Sequence, residues 1–204
     1  MSIKNQNENA HLPAIGQERI LGYFVEIGRL LQETQATGTQ GSSFGLGEAF
    51  SLISEMARKA HNSENKLMFV GNGGSAAIAS HMAIDYSKNG GLRSLSFNDP
   101  AALTCLSNDL GYENVFAKQI ELHARPGDLL MAISSSGKSE NIIRAVEQAR
   151  IRGCYVVTFT GFAPQNPLRR LGDLNLYIRS SEYGYVEISH LSLCHAILDL
   201  ASSA

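Results

Sequence analysis

Residues 66–85 read KLMFVGNGGSAAIASHMAID. A continuous apolar run, 67–70, breaks at Gly71-Asn72-Gly73-Gly74-Ser75 and gives way to a small-residue segment that carries His81 and Asp85. A short run that is apolar at every position fits a strand buried on both faces, and glycines directly after it fit a tight strand-to-helix turn. The pattern recurs: apolar runs at 92–97, 128–133, 155–160 and 174–178 alternate with helix-like stretches. Such alternation indicates a parallel sheet covered by helices on both sides. Upstream, Ile20, Phe24, Ile27 and Leu31 fall at helical spacing, and Phe50, Leu52, Ile53 and Met56 mark a second amphipathic helix over 48–60. Residues 186–200 are again helix-like. The expected fold is α/β, a doubly wound parallel five-stranded sheet preceded by two helices and closed by one. It forms a single domain over 15–204, with the helical pair at 15–62 and the α/β core at 66–200. The stretch TQATGTQGSS, 34–43, reads as a loop between the two helices. The polar residues 1–14, MSIKNQNENAHLPA, read as a frayed, disordered tail without the apolar stretch of a signal peptide.

With 204 residues, 44% of them hydrophobic, the chain has the material for one sizeable core. A formal charge of −2 gives no electrostatic reason to expect nucleic acid. No apolar run approaches the roughly 18–20 residues that a bilayer span requires. Cys105, Cys154 and Cys194 are scattered, odd in number and form no CxxC pair, which suits reduced thiols in a cytoplasm.

Doubly wound sheets bind ligands beyond the carboxyl ends of their strands, where loops meet helix N-termini. That directs attention to the turns after Val70 and Ile133. Gly71 to Ala76 fits the dinucleotide fingerprint G-x-G-x-x-G/A, but the acidic residue wanted about 20 positions on is met only loosely, by Asp99 before Pro100. The second turn, Ser134-Ser135-Ser136-Gly137-Lys138-Ser139, is a Walker A loop but for Ala132 in place of its first glycine. A nucleotide reading would put Lys138 on the β- and γ-phosphates and Ser139 on magnesium. It also wants a strand ending in aspartate for the metal, which no remaining run supplies clearly. Serine hydroxyls and free backbone N–H groups at the positive end of a helix suit a single phosphate monoester. That reading is preferred, with a plain capped turn as the simpler alternative.

His81 and Asp85 stand at i and i+4, so a helix after the glycine turn projects both from one face. Glu187 and His195 are two helical turns apart, with His190 between them. Two imidazoles and two carboxylates would make a zinc set. Equally, an i,i+4 His–Asp pair is an ordinary surface contact, and a histidine on an apolar helix is most often a satisfied core residue. Spacing alone leaves both open.

Taken together, GNGGSA…SH at 71–81, SNDLGYENVFAKQI at 107–120 and GDLLMAISSSGKSENII at 127–143 resemble the sugar isomerase (SIS) domain. Within it they are most similar to the bacterial sedoheptulose 7-phosphate isomerases, or phosphoheptose isomerases, over about 66–200. The resemblance implies ketose–aldose isomerisation of sedoheptulose 7-phosphate to D-glycero-D-manno-heptose 7-phosphate through an enediolate stabilised by a divalent metal, zinc being the expected ion. It also implies a homotetramer with active sites at subunit boundaries. Position by position, it implies His81, Asp85, Glu187 and His195 as metal ligands. Asp85 is then also the base, with Glu187 as rival, and His195 the acid. Ser134, Ser135, Ser136 and Ser139 would take the terminal phosphate, and Asn72, Gly73 and Ser75 would hold the open chain. Asp99 and Asn108 fall where the family contacts substrate, though Asn108-Asp109 would also serve to cap the next helix. Lys138 reads as an extra cation or a solvated lysine, and Cys194, with no base arranged beside it, as a buried thiol.

Three positions depart from the family's pattern. Its glutamate is Asp85, its glutamine is Glu187, and the aspartate before that glutamine falls on Gly184. Aspartate is one methylene shorter, while Glu187 adds charge that would tighten a divalent ion and lower its Lewis acidity. A non-catalytic relative, the DnaA-binding replication-initiation factor DiaA, lacks the carboxylate at Asp85 and the final histidine. This chain keeps Asp85 and His195, which favours an enzyme over the alternative, a protein that binds sugar phosphate or a replication factor without turnover.

Overall fold

Strands β3 (Leu67–Gly71) and β5 (Leu129–Ser134) are buried at every position, because helices cover both faces of the sheet they centre. The computed structural model describes residues 15–39 and 41–202; the expected tail at 1–14 lies outside them. Around the two central strands run β4 (Ser94–Ser96), β6 (Tyr155–Thr160) and β7 (Leu174–Tyr177), all five parallel. Helices α3 (Gly74–Lys88), α4 (Pro100–Leu110), α5 (Val115–His123) and α6 (Glu140–Ile151) fill the crossovers, and α7 (Tyr183–Ser202) closes the chain. Helices α1 (Gln17–Gln32) and α2 (Leu46–Asn62) precede the five parallel strands.

The alternation of side chains along the strands builds two cores. Leu67, Phe69, Met131, Ile133, Val157 and Phe159 point to one face and pack on α2, α3 and α7. Met68, Val70, Leu130, Ala132 and Val156 point to the other and pack on α5 and α6. Each fully buried large side chain contributes about 1.5–3 kcal/mol, and a one-residue slip of a strand would exchange the two layers.

The sheet has seven strands, in the order β2-β1-β7-β6-β5-β3-β4, with β1 (Gln35–Gly38) and β2 (Ser43–Phe44) at one edge. This corrects the expectation for 34–43, which is not a loop. Ala36 pairs with Phe44 and, antiparallel, with Leu176 of β7. Without this hairpin β7 would be left with an unpaired edge. Its small polar composition, with no apolar period, hid it.

From β3 the chain passes to β4 on one side, then returns to lay β5 on the other side of β3. Accordingly α3 and α6 leave for opposite faces, as the partners of Met82 and of Ile142 in the two cores attest. Where crossovers diverge in this way, a crevice opens beyond the carboxyl ends of the two strands. Both turns singled out in the sequence border it. On α1, Leu30 is buried, while Leu21, Phe24 and Val25 are exposed, Val25 to 71%. Among the described residues no helix is long and apolar enough to cross a membrane.

Candidate functional site

The crevice holds a cavity of about 220 Å3 lined from the glycine turn by Asn72, Gly73, Gly74 and Ser75. Gly73 has φ +55°, a left-handed conformation that a side chain would strain and glycine adopts freely, so the chain can reverse directly from β3 into α3. The opposite wall is Ser134, Ser135, Ser136 and Ser139. This loop is held from within and from behind. Gly137 N–H donates to Ser134 Oγ at 3.2 Å and Lys138 N–H to Ser136 Oγ at 3.2 Å. Gly161 N–H donates to the Ser135 carbonyl at 2.9 Å, and Leu168 N–H to that of Gly137 at 3.2 Å. Ser135 Oγ is buried and has no hydrogen-bond partner among the described residues. A buried hydroxyl without a partner carries a cost of about 1–3 kcal/mol, which a ligand oxygen would remove. The N–H groups of Glu140 and Asn141, the first two of α6, lie just beyond Ser139 and have no backbone acceptor among the described residues. Hydroxyls, free amides and a helix N-terminus together suit a phosphate dianion. Lys138 is exposed beside the loop.

Glu187 is the cavity's carboxylate. It extends from α7 over Gly74, where any side chain would collide with it. Tyr183, which also lines the cavity, was not singled out from the sequence; it packs edge-on to Phe162 at 4.9 Å between ring centres.

The second feature lies further along the same two helices. Asp85 Oδ2 is 3.5 Å from His81 Nε2 and 3.7 Å from Nδ1 of His195 on α7. Both separations are too long for hydrogen bonds, yet one ligand atom from each residue lies within 4.8 Å of the others. Nitrogen and oxygen ligands at about 2.1 Å from a tetrahedral zinc would be about 3.4 Å apart. The donor set and its spacing therefore fit such an ion. Of the four expected ligands, the chain brings together three; Glu187 stands apart at the cavity.

His190 belongs to neither group. It is fully buried, with Nε2 3.1 Å from the Thr160 carbonyl and Nδ1 without a partner among the described residues. Burial holds its pKa down at about 4 although the carbonyl bond opposes the shift. Cys194 is buried too, and burial pushes its thiol well up from the ordinary range, so it is inert. Asp99 and Asn108 do not line the cavity. Asp99 caps α4, accepting from Ala102 N–H at 2.8 Å. Asn108 lies inside α4, exposed, with Nδ2 donating to Asp109 Oδ1; this corrects the alternative in which Asn108-Asp109 cap the following helix. At Gly184 the space of a side chain is taken by the Tyr23 hydroxyl, and Tyr23 stacks on Tyr185 at 4.6 Å.

Asn72 is bound by two further residues that spacing did not mark, Asn141 and Tyr112, although both sit inside quoted motifs. A larger groove, about 660 Å3, runs between α2 and the end of α7 past Phe50, Arg58 and Leu200. Among the described residues it gathers no comparable set of ligating groups.

The SIS domain family matches residues 23–161. Over 166 residues the chain is 37% identical to the phosphoheptose isomerase of Aneurinibacillus thermoaerophilus, spanning 77% of this chain and 83% of that protein. The structure of phosphoheptose isomerase GmhA from Neisseria gonorrhoeae matches with a TM-score of 0.79 at 31% identity, over 92% of this chain and 99% of that one. A phosphoheptose isomerase structure from Francisella tularensis matches with a TM-score of 0.78 at 25% identity, over 94% and 100%.

Proposed function

The chain belongs to the SIS-domain phosphoheptose isomerase family and is a phosphosugar isomerase; on that premise we propose that it interconverts sedoheptulose 7-phosphate and D-glycero-D-manno-heptose 7-phosphate. One observation supports this reading above the others: the phosphate cradle and the His81–Asp85–His195 cluster share two helices. α3 starts at the cradle and reaches His81 two turns later, while α7 passes the cradle at Glu187 and reaches His195. A rise of about 1.5 Å per residue separates the two features by roughly 10–12 Å. With single bonds near 1.5 Å, an open-chain heptose phosphate spans roughly 10 Å from phosphorus to C1. A phosphate in the cradle thus leaves C1 and C2 beside the cluster.

The reaction moves one proton from C1 to C2 and a second from O1 to O2. A base takes a hydrogen from C1 of the ketose, and the released electron pair forms the C1–C2 double bond as O2 takes up charge. The proton returns at C2, while the O1 hydroxyl proton passes to O2. Asp85 is the base in this reading, since it lies at the C1 end and Glu187 at the phosphate end. Its Oδ2 faces both imidazoles, so Oδ1 is the atom left to accept the proton. His195 turns Nδ1 toward Asp85, which leaves Nε2–H to protonate the substrate oxygen. A divalent metal held by His81, Asp85 and His195, zinc fitting best, would supply positive charge beside the developing oxyanion. Glu187, over Gly74, would accept from the sugar hydroxyls nearest the phosphate.

The same reading includes a homotetramer, supported by the exposed apolar side chains of α1, and a cytoplasmic location, consistent with three cysteines that form no disulfide. The test is to incubate the protein with sedoheptulose 7-phosphate in D2O and follow the sugar by NMR. Aldose formation with deuterium at C2 is expected from a single base that exchanges with solvent. Unchanged sugar phosphate after prolonged incubation would overturn the proposal.

A further inference from the structure

The amide of Asn72 has almost no hydrogen-bonding capacity left. Its Nδ2 donates to Asn141 Oδ1 at 2.8 Å, and its Oδ1 accepts from Asn141 Nδ2 at 2.9 Å, a reciprocal amide pair across the crevice. The same Oδ1 accepts from the Tyr112 hydroxyl at 2.9 Å. A carboxamide has two lone pairs and two N–H groups. Both lone pairs and one N–H are spent, so one N–H remains.

Both partners are themselves anchored. Asn141 is 3% exposed in the first turn of α6, two residues beyond Ser139. Tyr112 opens a 3-10 turn, Tyr112–Asn114, whose Asn114 Oδ1 accepts from Arg144 of α6 at 2.9 Å. One helix therefore carries a phosphate-loop terminus, one clamp residue and the anchor of the other. This gives the SNDLGYENVF stretch a role that spacing did not suggest.

We infer that Asn141 and Tyr112 are positioning residues that turn the Asn72 oxygen away from the ligand and leave its single unspent N–H as a donor, so that this wall of the cavity selects an oxygen acceptor on the substrate. The polarity agrees with the opposite wall, where serine hydroxyls also offer donors, while Glu187 supplies the cavity's charged acceptor. The inference rests on the sugar-phosphate reading of the cavity, and it makes the two residues act through Asn72 alone.

A double-mutant cycle tests it. The dissociation constant of sedoheptulose 7-phosphate is measured by calorimetry, with kcat and KM alongside, for Asn72→Ala, Tyr112→Phe, Asn141→Ala and the two doubles with Asn72→Ala. Losing one hydrogen bond to Asn72 in Tyr112→Phe weakens binding about 3-fold, and losing two in Asn141→Ala about 10-fold, carried in KM rather than kcat. In the Asn72→Ala background neither substitution has a further effect. Tyr112 is exposed, so Tyr112→Phe keeps the test valid if Asn141→Ala folds poorly. Effects that persist undiminished without Asn72, or a Tyr112→Phe protein that binds as the parent does, would overturn the clamp. Binding with a closed cycle but no turnover would leave the clamp standing and remove the isomerase reading. A parent chain that does not bind the sugar phosphate would overturn both.

Discussion

The phosphate cradle and the His81–Asp85–His195 cluster lie on the same pair of helices, yet they are made of different materials. The cradle consists of main-chain N–H groups and short hydroxyls at the carboxyl ends of β3 and β5, fixed by the fold itself. The cluster consists of three side chains on exposed or half-exposed helix faces, with His81 half exposed and Asp85 only 18%. Donors supplied by backbone lose little further freedom on binding, whereas long side chains must be held by the packing of α3 against α7. On the proposed reading, binding is written into the topology and chemistry into a few replaceable residues. On such a plan a chain can lose turnover and keep its ligand.

The sharpest way to break that division is to remove the cluster. Asp85→Ala or His195→Ala is expected to lower kcat for sedoheptulose 7-phosphate by about 1000-fold, with the thermal midpoint nearly unchanged and inorganic phosphate binding retained in calorimetry. Unchanged turnover in both variants would dissolve the assigned roles. The reverse cut is Ser135→Ala. Deleting a buried, unpartnered hydroxyl weakens sugar-phosphate binding about tenfold, while denaturant unfolding shows stability unchanged or raised by up to about 1 kcal/mol. A clear loss of stability would mean that this hydroxyl serves the fold rather than a ligand. Glu187→Gln sharpens the boundary between the two regions. With Asp85 as base, kcat falls by only about threefold; a loss of 100-fold or more would move the proton transfer to Glu187.

An effect on stability rather than on activity concerns His190, whose Nε2 donates to the carbonyl of Thr160 beside Gly161, the residue that holds the Ser135 carbonyl. Its pKa, depressed from 6.5 to about 4 by burial, means that the unfolded chain takes up a proton the folded one refuses. Stability is therefore level above pH 6.5 and falls as the pH drops toward 4, by up to about 3 kcal/mol. Urea unfolding at several pH values and fixed protein concentration should show this slope, and His190→Gln should flatten it.

Apolar runs at 67–70, 128–133, 155–160 and 174–178 disclosed the parallel sheet because strands buried on both faces are apolar at most positions, with Asp128, Thr158, Thr160 and Asn175 the buried polar exceptions. The 34–43 hairpin stayed hidden because small and polar residues at a sheet edge carry no period. The i,i+4 spacing of His81 and Asp85 announced one half of the cluster. Its other half was read as Glu187 together with His195, and only the relative placement of α3 and α7 leaves His195 in the cluster and Glu187 at the cavity. Tyr112 and Asn141 were illegible for a different reason. Both act on Asn72 from elements 40 and 69 residues away, a distance at which spacing says nothing.

The most direct test of the division between cradle and cluster is the metal content of the purified protein, measured with sedoheptulose 7-phosphate turnover on the same sample. About one zinc per chain, lost together with turnover in His81→Ala while inorganic phosphate still binds, is the expected result. Full turnover by a protein that holds no metal, or loss of phosphate binding along with the metal, would contradict it.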